Sequence, residues 1–158
     1  MKHSIYARNC EIRRIDRSVA AAFLSQYHRL GATRCRYCYG IFVRRTTGSG
    51  ELSLPPGTLV GASAFSNARR WLKGDRVVSS YEWVRYASLE DVSILGGMSR
   101  SLKQFIQDKS PDDVMSYADA SYPDGGKTYE KLGFRLEGIV EKPGFKNLKY
   151  RLEVKSQG

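Results

Sequence analysis

Gly96-Gly97 stands immediately before a predicted helix, with Ser99 and Arg100 just inside it. A helix N-terminus presents N–H groups without intrahelical partners and the positive end of the dipole. This stretch can therefore hold a phosphate, with Ser99 and Arg100 adding contacts, or it can form a tight turn with no ligand. Glu82 and Arg85 lie three apart on a predicted strand, so their side chains face opposite ways unless a bulge intervenes. Glu82 can deprotonate or orient an attacking amine if burial raises its pKa. The alternative is an exposed strand pair. Ser116-Tyr117-Ala118-Asp119 ends a short strand, and ligands gather at the carboxyl ends of parallel strands. Asp119 there can hold a substrate amine or a metal ion, or cap the next turn. His28, at the end of the first predicted helix, can contact a substrate, join Asp119 on a metal, or complement the helix dipole. Cys35 and Cys38 form a Cys-x-x-Cys. A structural zinc would need two more ligands, from Cys10 and His28 or His3. A redox pair would normally open a helix, whereas these residues sit in an aromatic, strand-like run, which suits structural thiols.

Charge narrows the partners. The chain has 158 residues and 26 Lys+Arg against 16 Asp+Glu, a net charge of +10. Residues 1–50 hold ten Lys+Arg, nine of them Arg, against two acidic residues. Arg34, Arg36, Arg44 and Arg45 are interleaved with Tyr37, Tyr39 and Phe42. Guanidinium groups bind phosphate and stack on bases, so this face suits nucleic acid or a phosphorylated cofactor. The same pattern also serves as a solvated strand surface. Three cysteines argue against a disulfide scaffold. No apolar run is long enough for a membrane span, and the N-terminus lacks a signal-peptide core. A soluble, cytoplasmic setting without membrane attachment is expected.

The elements that must position these residues follow from pattern and punctuation. A strand over 10–16 runs into a helix cap at Asp16 or Ser18. Val19, Phe23, Tyr27 and Leu30 recur at helical spacing, and Gly31 ends the helix. Strands are expected over 36–44 and 58–65, paired as an antiparallel hairpin across a loose connection at 46–57. Residues 66–77 read as a polar connection ending in the Gly74-Asp75 turn. A strand over 78–87, a helix from Gly96 to about Gln107 and a strand over 114–118 imply a parallel pair. Met98, Leu102, Phe105 and Ile106 give that helix its apolar face. A turn at Asp124-Gly125-Gly126 leads to a helix over 127–132, closed by Gly133, and strands over 134–140 and 148–154 follow. The order β-α-β-β-β-α-β-α-β-β predicts one α/β domain. Its single mixed, twisted sheet has six or seven strands and helices on both faces.

That order, together with Tyr129-x-x-x-Gly133-Phe134, resembles the GNAT superfamily of N-acetyltransferases. The resemblance implies that Tyr129 protonates the departing CoA thiolate and that acetyl-CoA or another acyl-CoA is the group donor. The usual pyrophosphate loop aligns with Ser93-Ile94-Leu95-Gly96-Gly97-Met98, which lacks its first basic and last small residue. A closer resemblance, over about residues 10–152, is to phage and bacterial Mom-like DNA adenine-modification proteins and the related domain of some phage homing endonucleases. It rests on Tyr27-His28-x-x-Gly31, Tyr39-Gly40-Ile41-Phe42, Leu59-Val60-Gly61-Ala62, Glu82-x-x-Arg85, Gly96-Gly97-x-Ser99-Arg100, Ser116-Tyr117-Ala118-Asp119 and Tyr129-x-x-x-Gly133-Phe134. It implies transfer of a group to a nucleobase amine in DNA, within a host cytoplasm if the chain is phage-encoded. Catalysis would fall to Glu82, Asp119, Tyr129 and His28, and donor binding to Gly96, Gly97, Ser99 and Arg100. Tyr27, Arg34, Arg36, Arg85, Ser116 and Tyr117 would contact substrate or DNA. The two rival readings are an acetyl-CoA-dependent N-acetyltransferase on a small amine or protein, and a noncatalytic nucleic-acid-binding module.

Overall fold

The computed structural model describes residues 3–49, 52–122 and 125–154. In chain order the elements are β1 (His3–Tyr6), a 3-10 turn (Ala7–Asn9), β2 (Cys10–Arg14), α1 (Arg17–Tyr27), β3 (Tyr37–Val43), β4 (Thr47–Ser49) and β5 (Leu52–Leu54). There follow β6 (Leu59–Phe65), β7 (Arg69–Lys73), β8 (Arg76–Ser88), β9 (Val92–Leu95), α2 (Gly97–Lys109), β10 (Asp113–Asp119), α3 (Gly125–Lys131), β11 (Arg135–Lys142) and β12 (Phe145–Glu153). No helix among the described residues is long and apolar enough to cross a membrane. The chain forms two compact units, one of residues 1–66 and 84–108 and the other of residues 67–83 and 109–158, so β8 contributes to both.

In the first unit β3 is rich in aromatic and β-branched residues, which suit a pleated surface. It pairs antiparallel with β2 (Cys10↔Val43 through Arg14↔Tyr39) and with β6 (Tyr37↔Phe65 onward, shifting register after Ile41). The residues of β3 alternate between faces. Cys38 packs with Ala62 and Ala64 against Ala20, Phe23 and Leu24 of α1, and these small strand residues let the helix lie close. On the other face, Phe105 of α2 stacks on Phe65 with ring centroids 3.9 Å apart, and both rings are fully buried. The Tyr39 hydroxyl donates to Asp108 near the end of α2 at 2.7 Å. Helices therefore cover both faces. α2 stops where Ser110 takes φ +46° ahead of Pro111, whose nitrogen has no proton to donate.

The second unit is built on two hairpins and a parallel pair. β7 and β8 turn at Gly74 (φ +66°). β10 pairs antiparallel with β12 along its whole length and β12 with β11, while β10 runs parallel to β8 through Asp113↔Ser80, Val114↔Tyr81 and Met115↔Glu82. Asp113, only 5% exposed, is neutralised by Arg151 and accepts a 2.7 Å hydrogen bond from the Ser80 hydroxyl. Arg151 also pairs with Glu137, and that contact holds the Glu137 carboxyl down at about 2.

Several expectations are revised. Residues 66–77 contain the strand β7, and 46–57 contain the short hairpin β4–β5, with Gly50 and Glu51 outside the described residues. Asp124 of the expected turn also lies outside them. β1 and β9 form a parallel pair that periodicity had not marked. Asp16 does occupy the cap of α1, but its backbone carbonyl, not its side chain, takes the Ala20 N–H. The helix ends at Tyr27, before Leu30, and Val19 is 42% exposed where a buried position was expected. Among the described residues seven strands are joined in series through β8, as expected, with β7 paired to β8 beside them.

Candidate active site

The second unit gathers three of the predicted residues. Ser116 is the first β10 residue beyond the last parallel pair with β8, and it is 1% exposed. Its Oγ lies 2.9 Å from the Trp83 carbonyl oxygen and 2.7 Å from the Tyr129 hydroxyl. Tyr129 comes from α3. Its ring stacks on Tyr150 at 5.5 Å and meets Phe134 at 5.3 Å and Trp83 at 6.3 Å, the last two edge-on. Burial pushes its phenol pKa up. The Ser116 hydrogen bond lowers it, and the negative charge of half-buried Glu82 raises it again. Tyr129 thus sits among three aromatic rings, hydrogen-bonded to Ser116 and acted on by the charge of Glu82.

The spacing Tyr129-x-x-x-Gly133-Phe134 has a local cause. The Phe134 N–H donates to the Tyr129 carbonyl and the Gly133 N–H to that of Glu130, each at 3.0 Å, with Gly133 at φ +98°. This is a helix C-terminal motif that needs glycine at its left-handed position and sets two apolar residues in contact. The Tyr129–Phe134 contact is that pair.

Asp119 caps the next turn: its side chain accepts from the Ser121 N–H at 2.8 Å and its carbonyl from the Tyr122 N–H at 3.0 Å. Tyr117, half-buried, sits opposite Lys149 in the β10–β12 register.

In the first unit, Gly96 takes φ +82° and Gly97 opens α2. The Gly96 carbonyl accepts the Arg100 N–H at 3.0 Å, closing the first helical turn. A β-carbon on residue 97 would overlap the Tyr86 hydroxyl and crowd Ile94 at 3.0 Å. Ser99 is half-buried and Arg100 exposed. Burial raises the Cys10 thiol pKa, and the positive charges of Arg100 and Arg44 partly oppose it. Backbone N–H donors and cationic charge at the start of α2 are a donor set that fits a phosphate.

His28 accepts the Leu30 N–H at Nδ1 (3.0 Å). Burial and the nearby charges of Arg85 and Arg29 lower its pKa to about 4, so it is neutral and does not complement the helix dipole with a charge. Arg85 donates to the Gly31 carbonyl at 3.1 Å and to the Val84 carbonyl at 2.9 Å, tying the segment after α1 to β8. Tyr27 rests on Phe23 at 4.7 Å and lines a groove of about 510 Å³ with Val19, Ala22, Phe23, Leu59 and Leu89. The exposure of Val19 is explained by this groove.

Of the arginines expected on the basic face, Arg36 lies over Tyr37 (6.0 Å), and Arg13 and Arg14 of β2 lie over Phe42 (3.9 Å) and Tyr37 (5.1 Å). Arg34 is exposed. Cys35 and Cys38 are free thiols with sulfurs 3.0 Å apart, and burial raises Cys38 to about 12. Among the described residues no group of three or more His, Cys, Asp or Glu is gathered to hold a metal, so neither the zinc set nor a larger site on His28 and Asp119 is assembled.

Trp83, Tyr150 and Tyr86 were not singled out from the sequence. The register Ser116↔Tyr150 is what brings the Tyr150 ring to Tyr129.

No family model matches the chain, and no curated protein matches it. Solved structures do. Arabidopsis thaliana NAA60 in complex with a bisubstrate analogue is 13% identical, covering 92% of this chain and 99% of that one, with a TM-score of 0.66. The NatC complex bound to Gag peptide and CoA matches at 10% identity, 93% and 99% coverage and TM-score 0.64. The spermidine/spermine N-acetyltransferase SpeG from Vibrio cholerae, in complex with manganese ions, matches at 10%, 93% and 94%, and 0.63. At such identities the likeness speaks for architecture, and with the topology above it gives one conclusion: this chain has the GNAT acetyltransferase fold.

Proposed function

We propose that the chain is an N-acyltransferase that moves an acyl group, most simply acetyl, from a coenzyme A thioester to an amine. The observation that carries this reading is the buried Tyr129 phenol, hydrogen-bonded to Ser116 and subject to the negative charge of Glu82. The GNAT fold supports it, as do the CoA, peptide and bisubstrate complexes of the similar structures. In this reading Gly96, Gly97, Ser99 and Arg100 hold the donor's phosphates at the N-terminus of α2. Glu82 takes the proton of the attacking amine, and Tyr129 protonates the sulfur that leaves. Tyr27 and the groove beside it receive apolar parts of the acceptor. Asp119 and His28 shape the loops around it, and Tyr117 and Arg85 hold strand and segment in place. The test is thermal melting with acetyl-CoA, followed by mass spectrometry of reactions with spermidine and with a peptide bearing a free N-terminal amine. A rise in melting temperature and a product heavier by one acetyl group are expected. No shift and no product with any amine would overturn the reading.

The second reading is transfer to an adenine amine in DNA, as the Mom-like resemblance implies. It is favoured by the nine arginines in residues 1–50 and by Arg34 and Arg36 beside the aromatic β3 strand. Duplex DNA would then raise the melting temperature in a salt-sensitive way, and host DNA would yield a mass-shifted adenosine. A noncatalytic DNA-binding module would give the first result without the second.

A further inference from the structure

The Ser116 hydroxyl has one hydrogen and two oxygens within reach, the Trp83 carbonyl at 2.9 Å and the Tyr129 hydroxyl at 2.7 Å. A carbonyl only accepts, so whenever the Ser116–Trp83 bond is made Ser116 is the donor in it. The Tyr129 O–H must then be the donor to Ser116. A tyrosinate also only accepts. Once Tyr129 has lost its proton, Ser116 can serve it only by turning its own hydrogen away from Trp83.

We propose that Ser116 is a positioning residue that parks the Tyr129 proton between turnovers and donates to the Tyr129 oxygen as that proton leaves. The proposal rests on the reading of Tyr129 as the acid in acyl transfer. In that reaction the amine nitrogen bonds to the thioester carbonyl carbon. The carbon–sulfur bond breaks with its electron pair on sulfur, and sulfur takes the Tyr129 proton. The proton shed by the amine goes to the Glu82 carboxylate and on to solvent, and solvent returns one to Tyr129. The products are an amide and a thiol. Ser116 loses nothing: its hydrogen swings from one acceptor to the other without movement of a heavy atom. Two features favour the arrangement. Ser116 is 1% exposed, so water does not readily take its place. Burial disfavours the ionised form of Tyr129, so a donor to that form is needed for proton release. A hydrogen bond to a charged oxygen is also the stronger kind.

The test uses the full chain as wild type, Ser116→Ala, Ser116→Cys, Tyr129→Phe and the double variant Ser116→Ala/Tyr129→Phe. Two measurements are made. The first is acetyl transfer from acetyl-CoA to spermidine and to a peptide with a free N-terminal amine. The second is a pH titration of ¹³Cζ-labelled tyrosine by NMR, with the Tyr129 signal assigned by its loss in Tyr129→Phe. Ser116→Ala should lower kcat by about tenfold to a hundredfold, the range for losing a hydrogen bond to a charged group, with KM for acetyl-CoA changed less than about twofold. Ser116→Cys, close in volume and a weaker donor, should fall between. The double variant should be no slower than Tyr129→Phe. The Tyr129 titration should move to higher pH in Ser116→Ala. Wild-type kcat in folded Ser116→Ala alongside an impaired Tyr129→Phe would overturn the role of Ser116 and leave Tyr129 as the acid. An unimpaired Tyr129→Phe, or no transfer by wild type, would instead overturn the acid reading. An unmoved Tyr129 titration in Ser116→Ala would refute the hydrogen-bond role whatever the activity.

Discussion

The Tyr86 hydroxyl occupies the space that a β-carbon on residue 97 would need, so glycine at the start of α2 is required by a neighbour on β8. Gly97→Ala should destabilise the protein by about 1–3 kcal/mol, the usual cost of overpacking, and weaken acetyl-CoA binding by displacing the first turn of α2. Tyr86→Phe removes the offending oxygen. The pair Gly97→Ala/Tyr86→Phe should recover part of both losses. Thermal melting and acetyl-CoA titration of the four proteins check this, and strict additivity would exclude the contact as the cause.

Loss of Arg151 should be severe. It faces Asp113, which is 5% exposed, and an uncompensated buried carboxylate costs about 3–5 kcal/mol. Arg151→Met should show that loss in urea unfolding. Adding Asp113→Asn should return a substantial part of it, because the stranded charge is gone.

Two acid transitions in stability should separate. His28 titrates near 6.5 when unfolded and about 4 when folded, so the unfolded chain binds more protons between those values. Its share of stability is complete above 6.5 and declines as pH falls toward 4. Glu137, lowered from 4.5 to about 2, contributes above 4.5 and loses that contribution as pH falls toward 2. Calorimetric melting temperatures across this range should lose the upper slope in His28→Asn, which keeps an acceptor for Leu30, and the lower slope in Glu137→Gln.

Glu82→Gln should lower kcat for acetyl transfer by about 10²–10⁴-fold, the range for a lost general base, with KM for acetyl-CoA little changed. The Tyr129 phenol should at the same time titrate at lower pH, since the carboxylate that opposes its ionisation is neutralised. A steady-state pH profile and the tyrosine NMR titration read the two effects separately.

The parts of the fold legible in sequence were those with strong local punctuation. Gly74, Pro111 and Gly133 mark real boundaries, whereas α1 ends at Tyr27, ahead of Gly31, and the strand–helix–strand order foretold that β8 and β10 run parallel. What was missed depends on distance along the chain. β1 and β9 have four residues each and exist through Ser4↔Ser93 pairing, which no window over either segment reveals. β7 is exposed along its whole length and so shows no alternation. In the site, Glu82, Ser116 and Tyr129 were readable as residue types in a familiar order. The Trp83 and Tyr150 rings around them were not, because strand register and the seating of α3 bring them there.

That seating has a consequence for how Tyr129 can be studied. α3 has no fully buried residue, and at Gly126 its backbone comes so near the Tyr150 hydroxyl that any side chain there would collide with it. The helix is therefore moored largely by the Tyr129 ring, wedged among Trp83, Phe134 and Tyr150. In the proposed reaction one side chain is both reagent and anchor. Replacing it with alanine would set the helix adrift and confound chemistry with collapse, whereas phenylalanine deletes the oxygen alone and keeps the mooring.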